Sequence, residues 1–399
     1  MKRTCTVCTS EELQVGVSFG MQPVSNRFPD AVADSVLEEP QFPLSLGHCG
    51  KCGTVQLVEG APIEEVRPRY GWPSYSEPER HLDEVANELG RIVGITTASR
   101  FLGVSDIDKS VLKRIRALGF GSTDCIDAKD LKCPVHPFGL ETVQAALTDG
   151  KTVANLRDSY GTSDVLVARY IIEHAMSARA LILSLRELLA PGGYILLDLP
   201  DGERIFREAN HAFVWEEHIS YFTERSIKRL CSIVGAELVW LKRFPYPQED
   251  CLNVLLRFSG NAFAEPQGPL DAPGDSAAAL ADFAASLDAC RQKWCRKLAS
   301  FRALGKKSAV FGAGHLAVKF INFYGLADFI DCVIDDNPRK TGMLMPGSHL
   351  PIVHSDEIAS RGIGVCISTL APQSEAKVLE RLTGFLGEGG LFVSAFAST

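Results

Sequence analysis

Apolar positions change their spacing along this chain. Up to about residue 75 they fall in short runs, Val15-Gly16-Val17-Ser18-Phe19-Gly20 and Thr54-Val55-Gln56-Leu57-Val58, separated by proline-rich connections. Such runs predict short strands and turns, with too little helical periodicity for a separate core. From about residue 80, helical spacing alternates with short apolar runs, the mark of a parallel α/β sheet. Val111, Leu112, Ile115 and Leu118 share one face of a helix over 110–118. Strands are predicted at 122–126, 165–168 and 194–199. A helix over 178–189 is predicted to stop at Ala190-Pro191-Gly192-Gly193, because proline and glycine cannot continue it.

A proline- and glycine-rich stretch over 259–275 reads as a linker, and an alanine-rich helix follows over 276–304. A second α/β unit then opens with a strand at 307–311, the turn Gly312-Ala313-Gly314, a helix from His315, and a strand over 330–334 that ends at Asp335-Asp336. The expected division is a front module over 1–75, an α/β unit over 76–258, a linker and helix over 259–304, and a second α/β unit over 305–399.

A chain of 399 residues, 46% of them hydrophobic, has material for two or three cores. The formal charge of −8 and the lack of a Lys/Arg stripe argue against nucleic acid as a partner. No apolar run reaches the ~20 residues of a membrane span, and nothing resembles a signal peptide. Eight cysteines, from Cys125 and Cys133 to Cys366, are scattered without a disulfide framework. That is the usage expected in a reducing cytoplasm.

The other four cysteines form two C-x2-C pairs, Cys5/Cys8 and Cys49/Cys52, separated by 40 residues. Two such pairs supply the thiolates of one tetrahedral zinc ion. Four thiolates leave no coordination position for water, so this zinc is expected to be structural.

Gly312-Ala313-Gly314 after a strand, with Asp335 twenty-one residues beyond Gly314, has the layout of a dinucleotide-binding turn. Its third glycine is replaced by Ala317. The turn is open to three readings: NAD(P) binding, binding of a nucleotide portion of a substrate at Gly312 and Gly314, or a purely structural βαβ turn.

Ser163-Asp164-Val165-Leu166-Val167, Glu173-His174 and the run Leu188-Leu189-Ala190-Pro191-Gly192-Gly193-Tyr194 resemble the fourth and fifth strands of class I S-adenosylmethionine (SAM)-dependent methyltransferases. The whole chain is similar to the nucleotide-sugar C-methyltransferases. The segment from Gly20 to Phe28 resembles that family's G-x-x-P-x-x-N-x-F, and Cys52-Gly53-Thr54-Val55-Gln56-Leu57 its C-G-x-x-Q-L. Asp335-Asp336-Asn337-Pro338-Arg339-Lys340-Thr341-Gly342 resembles its D-x-N-P-x-K-x-G. The resemblance implies a zinc-binding front domain, a class I methyltransferase-like Rossmann domain and a second, Rossmann-like C-terminal domain. It also implies SAM as methyl donor and a nucleotide-linked keto sugar as substrate, methylated through an enolate.

The family's base region, Y-H-E-H-x-x-Y-F, corresponds to Trp215-Glu216-Glu217-His218-Ile219-Ser220-Tyr221-Phe222. His218 is thereby expected to be the base, with Glu217 orienting it; a histidine near neutral pKa suits a carbon acid. The resemblance implies Tyr221 as a substrate contact; Tyr70, in the aromatic stretch Tyr70-Gly71-Trp72-Pro73-Ser74-Tyr75, is open to two readings, a substrate contact or domain packing. The donor loop E-x-G-x-x-x-G corresponds to Gly103–Lys109, with Ser105 and Lys109 in place of glycines. Ser105, Asp108 and Asp127 are the expected SAM contacts, Asp127 standing where a ribose-binding acid belongs. The family's H-G-G-S-L-R has become Gln248-Glu249-Asp250-Cys251-Leu252-Asn253. These changes leave a second reading, in which the chain enolises a sugar nucleotide without SAM, as an epimerase would, or only binds a sugar nucleotide or a partner enzyme. The sequence specifies neither the sugar nor the oligomeric state.

Overall fold

A computed structural model describes residues 3–31, 39–70, 78–131, 139–259 and 274–396. Cys133, Trp72, Tyr75 and most of the 259–275 stretch lie outside the described residues. Strands β1 (Leu13–Pro23), β2 (Gln41–Cys49) and β3 (Val55–Glu59) form an antiparallel sheet. Next come β4 (Arg100–Gly103), the helix α1 (Lys109–Ala117), β5 (Ser122–Cys125), β6 (Ser163–Arg169), the helix α2 (Ala178–Arg186) and β7 (Leu189–Pro200). These four strands are parallel, in the order β5-β4-β6-β7. The chain then returns to the front sheet, where β8 (Ser220–Tyr221) pairs with β3. Strands β9 (Glu237–Phe244) and β10 (Cys251–Arg257) close the far edge of the middle sheet in antiparallel fashion.

The long helix α3 (Gly274–Ala303) leads to β11 (Lys307–Phe311), the helix α4 (His315–Tyr324), β12 (Cys332–Ile334), β13 (Ile352–Val353), β14 (Ile363–Ser368) and β15 (Leu391–Ser394). All five strands are parallel, in the order β13-β12-β11-β14-β15. No helix among the described residues is long and apolar enough to cross a membrane.

The predicted helix over 178–189 is shorter than expected. It ends at Arg186, and Leu189 already pairs with Ser163, whose N–H donates to Leu188 O at 2.9 Å. Joining the sheet satisfies those backbone groups and buries Leu188 and Leu189, so Ala190-Pro191-Gly192-Gly193 becomes the start of a strand and not the end of a helix.

Two cores explain how the units hold together. The middle sheet buries Leu166, Ile195 and Leu197 against α2 residues Leu181, Ile182 and Leu185, and Cys5, Cys49 and Cys52 belong to that same cluster. Apart from a small cluster of Val24, Ala61 and Val66 with Phe42, the front sheet shares its core with the C-terminal unit. Its Val17, Leu44, Leu46 and Leu57 pack with Leu280 and Phe283 of α3 and with Phe320 of α4. Each large apolar side chain buried this way contributes ~1.5–3 kcal/mol.

Candidate active site

The zinc module is built first. Cys5 Sγ lies 3.4 Å from Cys52 Sγ, and Cys8 Sγ 3.6 Å from Cys49 Sγ; all four sulfurs lie within 4.8 Å of one another. A zinc tetrahedron with ~2.3 Å Zn–S bonds has edges of ~3.8 Å, so the four thiolates fit one ion. Gly53, at φ +75°, takes a turn that a side chain would strain, and its N–H bonds Cys49 O at 2.8 Å. The knuckle is pinned to the rest of the chain through Thr6. Its N–H donates to Gln56 Oε1 at 2.8 Å, its hydroxyl meets Ser220 Oγ of β8 at 2.8 Å, and its carbonyl accepts from Arg179 N at 3.1 Å. The metal therefore anchors the strand that directly follows His218.

The donor-loop region sits where the strand order of the middle sheet reverses, between β4 and β6, the position at which open α/β sheets take ligands. Asp108 shapes it from within. Fully buried, it accepts from Val104 N and Ser105 N at 2.9 Å each through Oδ2, and from Arg169 N at 3.0 Å through Oδ1. Burial raises its pKa to about 7, despite the opposing pull of Arg169. Ser105 is buried too, so neither residue projects from the loop. Lys109 and Asp106 form an exposed pair at 2.6 Å, and Asp127 stays exposed beyond β5, paired with Lys129 at 3.2 Å. The rim of the loop stays open to solvent, and there Asp127 engages Lys129 through both carboxylate oxygens. The loop interior is filled by Asp108 in place of glycine-lined space.

Arg169, at the end of β6, completes the loop. It donates to Asp198 Oδ2 at 2.5 Å, Ile107 O at 2.9 Å and Ser110 Oγ at 3.0 Å, and His81 Nε2 lies 3.1 Å from the same Asp198 oxygen. All three charged or titratable side chains are buried.

The base cluster begins four residues after Arg169, at Glu173. Glu173 O accepts from Ile219 N at 2.7 Å, and Ile219 O from Leu57 N at 2.9 Å, which threads the base segment between β6 and the front sheet. Donor atoms of Glu173, His174 and His218 lie within 4.8 Å of one another, and the two imidazoles meet edge to face at 4.8 Å. His174 Nδ1 is buried without a hydrogen-bond partner. Burial, together with His315, lowers the His174 pKa to about 4; burial, His174 and His315 hold His218 well below the usual histidine range. Both rings are neutral at physiological pH.

Glu216 and Lys319 form a sealed ion pair at 2.7 Å. Burial would raise Glu216, but Lys319 brings it below the ordinary carboxylate range. Ser25 N donates to Glu216 Oε1 at 2.5 Å, and Lys319 donates to Pro23 O at 3.1 Å. Trp215 stacks on His315, at the start of α4, with centroids 4.0 Å apart. The front module, through Ala61, Ile63 and Val66, and the base segment border one small cleft, lined also by Glu141, His174, Glu216 and Glu217, while the C-terminal unit braces that segment from outside through Lys319 and His315.

Several expected contacts fall elsewhere. Glu217 makes no hydrogen bond to His218; its Oε1 accepts from Asn26 Nδ2 at 3.0 Å. The Tyr221 hydroxyl is buried, accepting from Trp215 N at 3.1 Å and donating to Phe213 O at 3.3 Å, so it braces the base segment from behind. Tyr70 is exposed. Asp335 does not await a ribose: it accepts from Ala313 N at 2.9 Å and pairs with Lys340 at 3.4 Å. Gly312, at φ +101°, is required by the turn itself, since a Cβ there would meet Leu370 at 2.6 Å, whereas Gly314 faces open space. His315, Lys319 and Glu141 went unnoticed in the sequence. Lys319 sits in an otherwise apolar helix, and that was the available signal.

Three family models match: a zinc binding domain over residues 5–66, a methyltransferase domain over 106–241, and a C-methyltransferase C-terminal domain over 271–396. C-methyltransferase NovU of Streptomyces niveus is 21% identical over 399 residues, covering 98% of this chain and 94% of that protein. The chain is thus similar, part by part and over nearly its whole length, to C-methyltransferases. The four-cysteine knuckle falls within the zinc-binding match and the middle unit within the methyltransferase match. Among solved structures, an O-methyltransferase family protein from Burkholderia thailandensis is 17% identical with a TM-score of 0.31; the overlap covers 46% of this chain and 57% of that one. N-methyltransferase NodS from Bradyrhizobium japonicum WM9, in complex with S-adenosyl-L-homocysteine, is 14% identical with a TM-score of 0.27, covering 45% and 86%.

Proposed function

We propose that the protein is a SAM-dependent C-methyltransferase acting on a nucleotide-linked keto sugar, with His218 as the base. The observation that carries this reading is the end of β6, where Arg169 holds the donor loop and the next few residues bring His174 against His218. Donor loop and base thereby share one rigid support.

His218, neutral and packed against His174 of the cleft wall, takes the proton from the carbon beside the ketone. His174 packs on its ring and limits its rotation, while Trp215, held by His315, closes the other side. Glu173 and His174 are buried beside this ring, while His218 is half-buried and so remains reachable from the cleft side. Asp127 would hold the donor's ribose, and the loop that Asp108 shapes would lie beside its methionine portion. SAM, when bound, supplies a methyl group on a sulfonium sulfur, and the new C–C bond forms as the S–C bond breaks.

Calorimetric titration with SAM and S-adenosylhomocysteine tests the donor, and mass spectrometry after incubation with nucleoside diphosphate keto sugars tests the transfer. Micromolar donor binding and a product heavier by one methylene are expected. Proton exchange at the sugar carbon without donor binding would favour SAM-free enolisation, the reading that Asp108's occupation of the loop amides supports.

A further inference from the structure

We propose that Glu217 works as a neutral carboxylic acid, donating a hydrogen bond to the ketone oxygen of the substrate as that oxygen becomes an enolate. The inference rests on the reading of function above and changes the role of this residue from orienting His218 to stabilising charge.

The geometry sets up the acid from several sides. Asn26, in the front module, donates to Oε1 and fixes the plane of the carboxyl group, which borders the cleft beside His174. On one side stands Glu216, kept ionised by Lys319 of α4. On another is Glu141, whose Oε1 accepts from Gly139 N and Thr142 Oγ1 while its Oε2 is buried without a partner. The nearby rings of His174, His218 and His315 are neutral, and Lys319 is spent on Glu216 and Pro23 O. A carboxyl group placed among other carboxyls in a dry site keeps its proton. Burial first, then Glu216 and Glu141, hold the Glu217 pKa well above the usual carboxylate range, against the smaller pull of Asn26 and Lys319.

The proton balance is simple. The carbon-bound proton goes to His218. Glu217 keeps its own proton and shares it with the enolate oxygen, and when the methyl group is added the ketone reforms and that hydrogen bond weakens. A donor that strengthens only as charge develops lowers the barrier, and losing one such donor costs ~10²–10³ in rate.

The test combines infrared difference spectroscopy with deuterium exchange into nucleoside diphosphate keto sugars. At neutral pH the wild type minus Glu217→Gln spectrum should show the carbonyl stretch of a protonated carboxyl. Its titration midpoint should fall in the charge-neutral double variant Glu216→Gln/Lys319→Met, because the ionised Glu216 helps keep the proton on Glu217. Glu217→Gln, whose amide still donates, should keep exchange within about tenfold of wild type, and Glu217→Ala should lose ~10²–10³-fold. An active wild type without the band, or a folded Glu217→Gln as slow as Glu217→Ala, overturns the proposal alone. A wild type that exchanges no deuterium with any keto sugar sinks the functional reading, and the donor role with it.

Discussion

Lys319 Nζ, on the C-terminal unit, lies 2.7 Å from Glu216 Oε2, two residues before His218, in a contact sealed from solvent. Removing one partner of such a pair leaves a buried charge uncompensated, at a cost of ~3–5 kcal/mol. Lys319→Met should therefore lower the denaturation midpoint markedly, and the double variant Glu216→Gln/Lys319→Met should recover most of the loss. Equal loss in single and double variants, read by urea titration, would show that the pair is not the source.

Zinc removal should be felt beyond the knuckle. Cys49→Ser is expected to lose the metal and to loosen β8, because Thr6 ties the knuckle to Ser220. Metal analysis together with hydrogen exchange over 215–222 checks both halves; one equivalent of zinc retained in the variant would remove Cys49 as a ligand.

Asp108 makes a prediction about pH. Its folded pKa, about 7, is raised above the unfolded value, so the folded state holds more protons between about pH 4 and 7. Stability from this group is present in acid and falls as pH rises through that window, by up to ~1.4 kcal/mol per unit. The lowered histidines act in the opposite direction below about pH 6.5. The stability of Asp108→Asn relative to wild type should therefore improve steadily from pH 4 to 7. A difference that stays flat with pH, measured by chemical denaturation, would contradict the burial argument.

His218 must be neutral to accept a proton, and its pKa lies well below the ordinary value of 6.5. The acid limb of kcat/KM should accordingly fall well below pH 6.5, with a level profile through neutrality. His218→Gln should abolish proton exchange while leaving donor binding intact. Full exchange in that variant would exclude His218 as the base.

Asp127 is exposed and paired only locally with Lys129. Asp127→Ala should leave stability nearly unchanged and weaken SAM about tenfold, the worth of a charged hydrogen bond to a hydroxyl. Unchanged affinity by calorimetry would take the ribose elsewhere.

Much of the fold was legible because spacing and turn chemistry agree over long stretches. β11 spans Lys307–Phe311 and α4 starts at His315, both as the sequence predicts, since Gly312 and Gly314 punctuate a clean change of period. The knuckle was legible because C-x2-C pairs admit few alternatives. What the sequence hid was long-range pairing. Nothing near Glu216 announces that its counter-charge lies on α4, or that Asn26 will take the oxygen of Glu217 that was expected to face His218. The fate of Asp335 was hidden for the same reason: a carboxylate that could meet a ribose can equally bind the N–H of its own glycine turn.

The threading of β8 into the front sheet also governs the order in which this enzyme can come into being. A ribosome releases the knuckle early, yet the third strand of that sheet waits for Ser220 and Tyr221, and the base segment waits longer still for His315 and Lys319. Domains usually fold as they emerge, but here the catalytic centre can close only once most of the chain has been made. A nascent protein interrupted before α4 would hold β6 and its loop in place while Trp215 and Glu216 still lacked His315 and Lys319, so the segment around His218 would stay unbraced.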